Sequence, residues 1–140
     1  MKQICIIVPV YNEELSIDTF FSEFLKFKKT LFEKGYAASV LFVDDGSKDQ
    51  TATILNRLIK ENTNCKALVF SRNFGKEAAI YAGLQNASGK YVALMDADMQ
   101  DPPSLLPEMM SYLQTDEYDC VATRRSDRKG EPPIRSFFAK

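Results

Sequence analysis

Residues 92–103 read VALMDADMQDPP, and they carry an apolar run directly into acidic side chains. Asp96, Asp98 and Asp101 fall within six residues, and two prolines follow them. A short apolar run that ends in this way is typical of a buried strand that stops at a polar loop. Two carboxylates one residue apart at a strand end can present oxygen atoms to a divalent cation. The stretch therefore predicts a buried sheet with a binding site at its edge.

Predicted strands and helices alternate along the chain. Short apolar runs predict strands at residues 3–8, 38–43, 66–70, 91–95 and 119–123. Apolar residues at helical spacing predict helices at residues 14–34, after Asp49, at 76–87 and at 103–113. Such alternation implies right-handed crossovers and a mostly parallel sheet with helices on both faces. We therefore predict one α/β domain of Rossmann-like architecture.

Composition limits the chemistry that the chain can perform. Its 140 residues include 18 Lys and Arg, 19 Asp and Glu and no histidine, for a net charge of −1. A balanced charge gives no global attraction to nucleic acid, so we expect no nucleic-acid partner. Without histidine, the chemistry must rely on carboxylates, hydroxyls, lysine, arginine or a hard metal ion. Cys5, Cys65 and Cys120 lack the close spacing of a zinc site, and we expect them to be reduced thiols in the core.

The sequence carries no signal for membrane insertion or secretion. No apolar stretch approaches the roughly 18 residues of a membrane span. The N-terminal MKQICIIVPVYNEE lacks the features of a secretory signal. We therefore expect the chain as given to be soluble and cytoplasmic.

Polar clusters follow all the predicted strands. They are Pro9 to Glu13, Asp44 to Ser47, Ser71 to Asn73, Asp96 to Gln100, and Arg124 with Arg125. Ligands of open parallel sheets bind outside the carboxyl ends of the strands, so we expect the clusters to meet in one crevice. The alternative is that they are ordinary polar turns, but two of them contain closely spaced aspartates, which favours a site.

Phosphate-binding glycine loops are missing from the sequence. No G-x-G-x-x-G follows the first strand, and the segment from Gly83 to Lys90 has the wrong spacing for a P-loop. An EF-hand is excluded because Asp101 stands where glycine is required. The remaining interpretation is Mg²⁺ or Mn²⁺ that bridges carboxylates to the diphosphate of a ligand.

Four segments together resemble the family 2 glycosyltransferases, which have the GT-A fold. They are VPVYNEE (8–14), LFVDDGSKDQT (41–51), SRNFGKEAAIYAGLQNASGKYVALMDADMQDPP (71–103) and ATRRSDRKGEPPIR (122–135). The branch that they resemble most includes dolichyl-phosphate mannose synthase and bacterial undecaprenyl-phosphate sugar transferases. Gln100 indicates this branch, because many relatives in other branches resemble the first two segments without the run D-A-D-M-Q-D-P-P.

The resemblance implies a role for each matching residue. For the donor, Pro9, Tyr11 and Glu13 are expected to line the nucleobase pocket, and Asp44, with Asp45 as a further candidate, to form a hydrogen bond with the base or the ribose. Asp96 is expected beside the ribose and diphosphate, and Asp98 and Gln100 are expected to reach Mg²⁺ or Mn²⁺. For the acceptor, the residues expected to hold the phosphate are Arg124 and Arg135, with Arg128 a weaker candidate. Asp96 and Asp98 are thus the expected catalytic residues.

The implied reaction is transfer of a sugar, with inversion, from a nucleotide sugar to a polyprenyl phosphate. We favour a UDP-sugar over a guanosine donor. A phosphate acceptor is already anionic near neutral pH and needs no general base, which agrees with the lack of histidine. The alternatives are a family 2 transferase that extends a saccharide hydroxyl and a non-catalytic nucleotide-binding fragment. An aspartyl phosphohydrolase is disfavoured by Gln100, and a phospho-receiver domain by Arg124.

The resemblance also implies a division of the chain. We expect residues 1–123 to be the nucleotide-sugar-binding core, and 124–140 to be an acceptor loop and the start of an interfacial helix at IRSFFAK. The family's catalytic domain continues beyond this point, so we expect a C-terminally truncated chain that is inactive in transfer alone. The whole protein is expected on the cytoplasmic side of a membrane. The sequence does not decide between a monomer and a homo-oligomer.

Overall fold

The computed structural model describes residues 1–124 and 134–139, with the backbone alone described for Arg124 and for 134–139. The chain divides into two compact units, Met1–Pro103 and Ser104–Lys140.

A four-stranded parallel sheet forms the centre of the first unit. Its strands are β1 (Lys2–Val10), β2 (Tyr36–Asp44), β3 (Cys65–Val69) and β4 (Tyr91–Leu94), in the order β3-β2-β1-β4. Helices α1 (Ile17–Glu33), α2 (Thr51–Glu61) and α3 (Lys76–Asn86) connect successive strands. The α/β architecture predicted from the sequence is therefore confirmed for this unit.

The helices cover both faces of the sheet. On one face, the ring of Phe20 in α1 meets Phe42 of β2 edge to face, with 5.9 Å between the ring centroids. On the other face, Ala79 of α3 packs with Ile7 and neighbouring buried side chains. At Gly83, a Cβ atom would lie 2.5 Å from Cγ2 of Ile7, so the absence of a side chain allows α3 to approach β1.

Helix α1 begins three residues later than predicted. Residues 13–16 form a turn in which the backbone N–H of Ser16 donates to the carbonyl oxygen of Glu13 over 2.9 Å. The N–H of Glu14 donates instead to the Asp49 carboxylate at 3.3 Å. Because Asp49 is distant in sequence, helical periodicity gave no sign of this contact.

The second unit contains a helix and a separate two-stranded sheet. A 3₁₀ turn (Pro103–Leu105) leads into α4 (Leu106–Leu113), which is followed by β5 (Tyr118–Arg124) and β6 (Ile134–Ala139). Strand β5 pairs antiparallel with β6, whereas the sequence predicted it in the parallel sheet. Residues 134–139 form that partner strand, whereas the start of an interfacial helix was predicted. Isoleucine and phenylalanine also suit strands, and the pairing that decides between the two is non-local. The first compact unit ends at Pro103, and the domain boundary expected at residue 123 stays a prediction.

Two of the three cysteines lie in the core. Cys5 and Cys65 are buried, and burial raises the pKa of the Cys65 thiol to about 11. Cys120 is exposed, so the prediction of a core thiol was wrong there. It lies on β5, outside the parallel sheet in which it was expected to be enclosed. Among the described residues, no helix has both the length and the apolar character needed to cross a membrane.

The two ends of α1 provide a test of the core. Phe20 is fully buried, whereas Phe32 on the same helix is 58% exposed. We expect Phe20→Ala to lower the free energy of unfolding by about 3–5 kcal/mol, because it removes buried area and leaves a cavity. Phe32→Ala should cost well under half of that. Urea denaturation of both variants measures the difference, and equal losses would contradict this packing.

Candidate functional site

An open cleft lies at the carboxyl ends of the strands in the first unit. The chain runs from β1 to β2 and β3 on one side and returns to place β4 on the other side of β1. This reversal is the position at which open α/β sheets bind ligands. The cleft has a volume of about 170 Å³ and is lined by Pro9, Val10, Tyr11, Glu13, Asp45, Lys76, Ala79, Asp96, Ala97 and Asp98.

The structure thus brings most of the predicted donor and metal residues together. The clusters after β1, β2 and β4 all contribute to the lining, as the parallel topology predicted. Asp44 and Gln100 are not among the lining residues. Ser71 to Asn73, after β3, also lie outside the lining, although Asn73 contacts it through Asp45.

The loops that follow β1 and β2 bind each other through reciprocal hydrogen bonds. We call this set the loop clasp; it comprises Asn12, Glu13, Glu14, Ser47, Lys48, Asp49, Gln50 and Thr51. The N–H of Asn12 donates to Oγ of Ser47 at 2.8 Å, and its side-chain oxygen accepts from the N–H of Lys48 at 2.9 Å. The N–H of Glu13 donates to Oγ1 of Thr51 at 2.9 Å. The clasp therefore holds the backbone of Glu13, whose side chain lines the cleft.

Asp49 anchors the far end of the loop clasp. Its carboxylate accepts from the backbone N–H and hydroxyl of Thr51, the first residue of α2, and from the N–H of Glu14. Burial by itself raises the pKa of Asp49, but these hydrogen bonds outweigh it and lower the pKa below its ordinary value of 3.8. Helix α2 begins after Asp49, as predicted, but its N-cap position is Gln50, and Asp49 lies one residue before it.

Asp44 and Asp45 occupy different surroundings although both are buried. Oδ1 of Asp44 accepts from the backbone N–H and hydroxyl of Ser47 at 3.0 and 2.6 Å. Its Oδ2 is buried and has no hydrogen-bond partner among the described residues. A buried carboxylate oxygen in that state is costly unless a further group donates to it.

Asp45 binds the loop between β3 and α3. Its Oδ1 accepts from the backbone N–H of Phe74 at 2.8 Å, and its Oδ2 accepts from the N–H of Gly75 and the side-chain amide of Asn73, each at 3.1 Å. Asp45 is only 4% exposed but forms part of the cleft wall. It therefore fixes the position at which α3 begins.

The Asp96–Asp98 turn places two carboxylates on the opposite side of the cleft. The N–H of Met95 donates to the carbonyl oxygen of Ile7 at 3.0 Å, which aligns the turn with β1. The backbone then reverses at Met99, which has a φ of 61°. Oδ1 of Asp98 accepts from the N–H of Gln100 at 3.2 Å. Asp98 is exposed, and Asp96 is half-buried.

Lys76 is a site residue that the sequence analysis missed. It is the first residue of α3, lines the cleft, and donates from Nζ to Oδ1 of Asp96 at 2.9 Å. Lys76 follows Asn73 by three residues and Arg72 by four, and this spacing does not mark it as a site residue. The available signal was its place at the start of a helix that follows a strand end.

The oxygen atoms at this turn fit a hard divalent cation with open coordination positions. The described residues contain no group of three or more acidic, cysteine or histidine side chains able to hold a metal. An enclosed protein site is therefore missing from that part of the chain. Mg²⁺ is commonly held by one or two carboxylates together with water and substrate phosphates, and the exposed carboxylate of Asp98 at this turn fits that pattern.

The predicted acceptor residues lie elsewhere. Arg124 and Arg135 belong to the strands of the second unit, with their backbone alone described, and Arg125 and Arg128 lie outside the described residues. In the register of the antiparallel pair, Arg124 is opposite Ile134 and Arg135 is opposite Thr123. The backbone positions of Arg124 and Arg135 are thus neighbours at one end of this sheet.

Comparison with known proteins shows the class to which this fold and cleft belong. The sequence profile named Glycosyl transferase family 2 matches residues 5–136. The chain belongs to this family.

Two individual members of the family are similar to this chain over most of its length. The chain is 40% identical over 138 residues to a bactoprenol glucosyl transferase of Shigella phage SfV, covering 99% of this chain and 44% of the relative. It is 35% identical over 130 residues to an undecaprenyl-phosphate 4-deoxy-4-formamido-L-arabinose transferase of Proteus mirabilis, covering 92% and 39%. The chain thus spans less than half the length of these relatives.

A solved structure supports the GT-A fold. A mannosyltransferase from Pyrobaculum calidifontis, in complex with GDP-Man and Mn²⁺, superposes with a TM-score of 0.67. The identity is 24%, and the match covers 84% of this chain and 34% of that one.

Asp49 should give the loop clasp a pH-dependent stability. A carboxyl whose pKa is lowered by folding stabilises the protein above its ordinary value of 3.8, and the contribution is lost as pH falls through the folded pKa. We expect Asp49→Ala to lower the free energy of unfolding by about 0.5–2 kcal/mol at neutral pH. The difference in free energy of unfolding between wild type and Asp49→Ala should become smaller near pH 3.

Asp49→Asn is the matched control, because asparagine keeps an acceptor oxygen but does not titrate. Urea denaturation at neutral pH and near pH 3 provides the comparison. If the difference in free energy of unfolding between wild type and Asp49→Asn is the same at both pH values, the Asp49 carboxylate is not the titrating group.

Proposed function

We propose that the whole protein is an inverting glycosyltransferase that moves a sugar from a UDP-sugar to a polyprenyl phosphate with the help of Mg²⁺ or Mn²⁺. The observation that carries this proposal is the meeting of Tyr11 and Glu13 with Asp96 and Asp98 in one cleft at the reversal of strand order. Both relatives are named as transferases, one of bactoprenol and one of undecaprenyl phosphate.

The β1 and β2 ends would hold the nucleoside. Tyr11 is 42% exposed in the wall of the cleft, so its ring is available to a nucleobase beside Pro9 and Glu13. Asp45 contributes to the same wall, and Asp44 has a buried oxygen to which no group in the described part of the chain donates. We therefore keep both aspartates as candidates for a hydrogen bond from base or ribose, with Asp45 the better placed for direct contact.

The β4 end would hold the diphosphate. Asp98 and Gln100 are the proposed metal ligands, with Asp96 beside ribose and diphosphate. A divalent cation there supplies Lewis-acid stabilisation of the charge that develops on the leaving nucleoside diphosphate. The exposed carboxylate of Asp98 favours this role, since it can gain a metal without giving up a buried contact.

The second unit would hold the acceptor. Arg124 and Arg135 lie on the two paired strands, one residue out of register with each other, and Arg128 lies between them in the sequence. Guanidinium groups suit a phosphate because they can donate two parallel hydrogen bonds. An anionic phosphate can attack the anomeric carbon without a base, and in-line attack inverts the configuration. Such a basic segment would also favour the cytoplasmic surface of an anionic membrane.

Asp98 should account for the metal dependence of nucleotide binding. We expect Asp98→Ala to remove the gain in UDP affinity that Mn²⁺ provides, because the metal loses a carboxylate ligand. Asp101→Ala is the control, since Asp101 is exposed in the same loop but does not line the cleft. Electron paramagnetic resonance of Mn²⁺, titrated with UDP and protein, measures the bound metal. Wild-type metal binding in Asp98→Ala would show that the ligand lies elsewhere.

The arginines should affect the acceptor step alone. In the whole protein, we expect Arg124→Ala or Arg135→Ala to reduce transfer about 10- to 100-fold, through a higher acceptor KM or a lower kcat. Donor affinity should not change, and Arg57→Ala on α2 serves as the control. Transfer of labelled sugar to polyprenyl phosphate is the assay. Full activity in both variants, or transfer to hydroxyl acceptors only, would favour a saccharide-extending enzyme.

A further inference from the structure

The charge of the cleft is poorly matched to the ligand proposed for it. Its lining includes the carboxylates of Glu13, Asp45, Asp96 and Asp98, and Lys76 is its one cationic residue among those described. A nucleoside diphosphate is itself an anion, so it cannot approach these carboxylates without compensating positive charge. One divalent cation offsets only part of this negative charge. Lys76 is therefore the residue of the lining that can supply further positive charge to an anionic ligand.

The backbone of Lys76 is held firmly although its side chain is not. The preceding residues Phe74 and Gly75 donate their N–H groups to the buried Asp45, and Gly75 has a φ of 104° that glycine accommodates readily. Lys76 then begins α3 with 62% of its side chain exposed. The ammonium group thus projects from a fixed point and can move within the reach of a flexible chain.

Its pairing with Asp96 is weak enough to be exchanged. The two side chains are 62% and 44% exposed, and ion pairs at such sites contribute about 0–1 kcal/mol. A phosphate offers more charge and more acceptor oxygens than one carboxylate. Moving the ammonium from Asp96 to a phosphate is therefore favourable, and it also frees Asp96 for the donor.

We propose that Lys76 binds the diphosphate of the donor directly, as a second cation beside the metal, and that its pair with Asp96 is the resting arrangement that donor binding replaces. This inference rests on the proposed function. It implies that nucleotide binding has a component that persists without metal. The competing explanation is that Lys76 serves only as a counter-ion to Asp96.

The experiment compares Lys76→Gln and Lys76→Arg with wild type by calorimetry. Each protein is titrated with UDP and with uridine, in EDTA and again in Mn²⁺. Lys66→Gln is the matched control, because Lys66 is an exposed lysine near the opposite end of β3. We expect Lys76→Gln to lose about tenfold or more in UDP affinity in EDTA, with uridine affinity unchanged. Lys76→Arg should retain part of the affinity, and Lys66→Gln should behave as wild type.

The affinity for UDP in EDTA separates the two explanations. Both have Lys76 paired with Asp96 in the absence of nucleotide, so both predict stronger binding of Mn²⁺ alone once the lysine is removed. An affinity of Lys76→Gln for UDP in EDTA that equals that of wild type overturns the inference. Equal losses for UDP and uridine would also overturn it, because they indicate a general disturbance of the cleft. If wild type binds UDP neither in EDTA nor in Mn²⁺, the proposed function fails. If wild type and Lys76→Gln bind UDP equally well, only the assignment of Lys76 is rejected.

Discussion

The parallel pairing of β1 with β2 on one side and β4 on the other is the constraint on which the site depends. Val10 lies opposite Asp44 at one border, and Ile7 lies opposite Leu94 at the other. These registers bring the ends of three strands to one edge of the sheet, although they are distant in sequence. A shift of one residue would move the aspartates relative to the cleft and turn each side chain of the shifted strand to the opposite face of the sheet.

Polar side chains at this edge divide into those that build the loops and those that remain available. The carboxylates of Asp45 and Asp49 accept hydrogen bonds from backbone N–H groups, and these bonds hold the loops after β1, β2 and β3 in place. Asp96 and Asp98 are more accessible, and Asp96 is paired with Lys76, whose side chain is 62% exposed. A rigid frame with accessible carboxylates suits a ligand that must be positioned accurately before reaction.

Sequence periodicity predicted the four parallel strands and their helices because local apolar spacing reflects burial on a sheet. It also predicted that Tyr11, Glu13, Asp96 and Asp98 would share a cleft, since parallel strands end at one edge. It could not predict the pairing of β5 with β6, because partner choice is non-local and the residues of β6 also fit an interfacial helix. Lys76 was missed for a related reason: its ion pair with Asp96 arises only after the crossover folds.

The central claim is that this cleft recognises a nucleoside diphosphate through carboxylates and a divalent cation. Calorimetric titration of the wild-type chain with UDP, GDP and uridine, each with and without Mn²⁺, tests it most directly. The account predicts that the metal strengthens binding of UDP and of GDP and has no effect on uridine, and that UDP binds more tightly than GDP. Equal affinities for uridine and UDP in the presence of Mn²⁺ would contradict it.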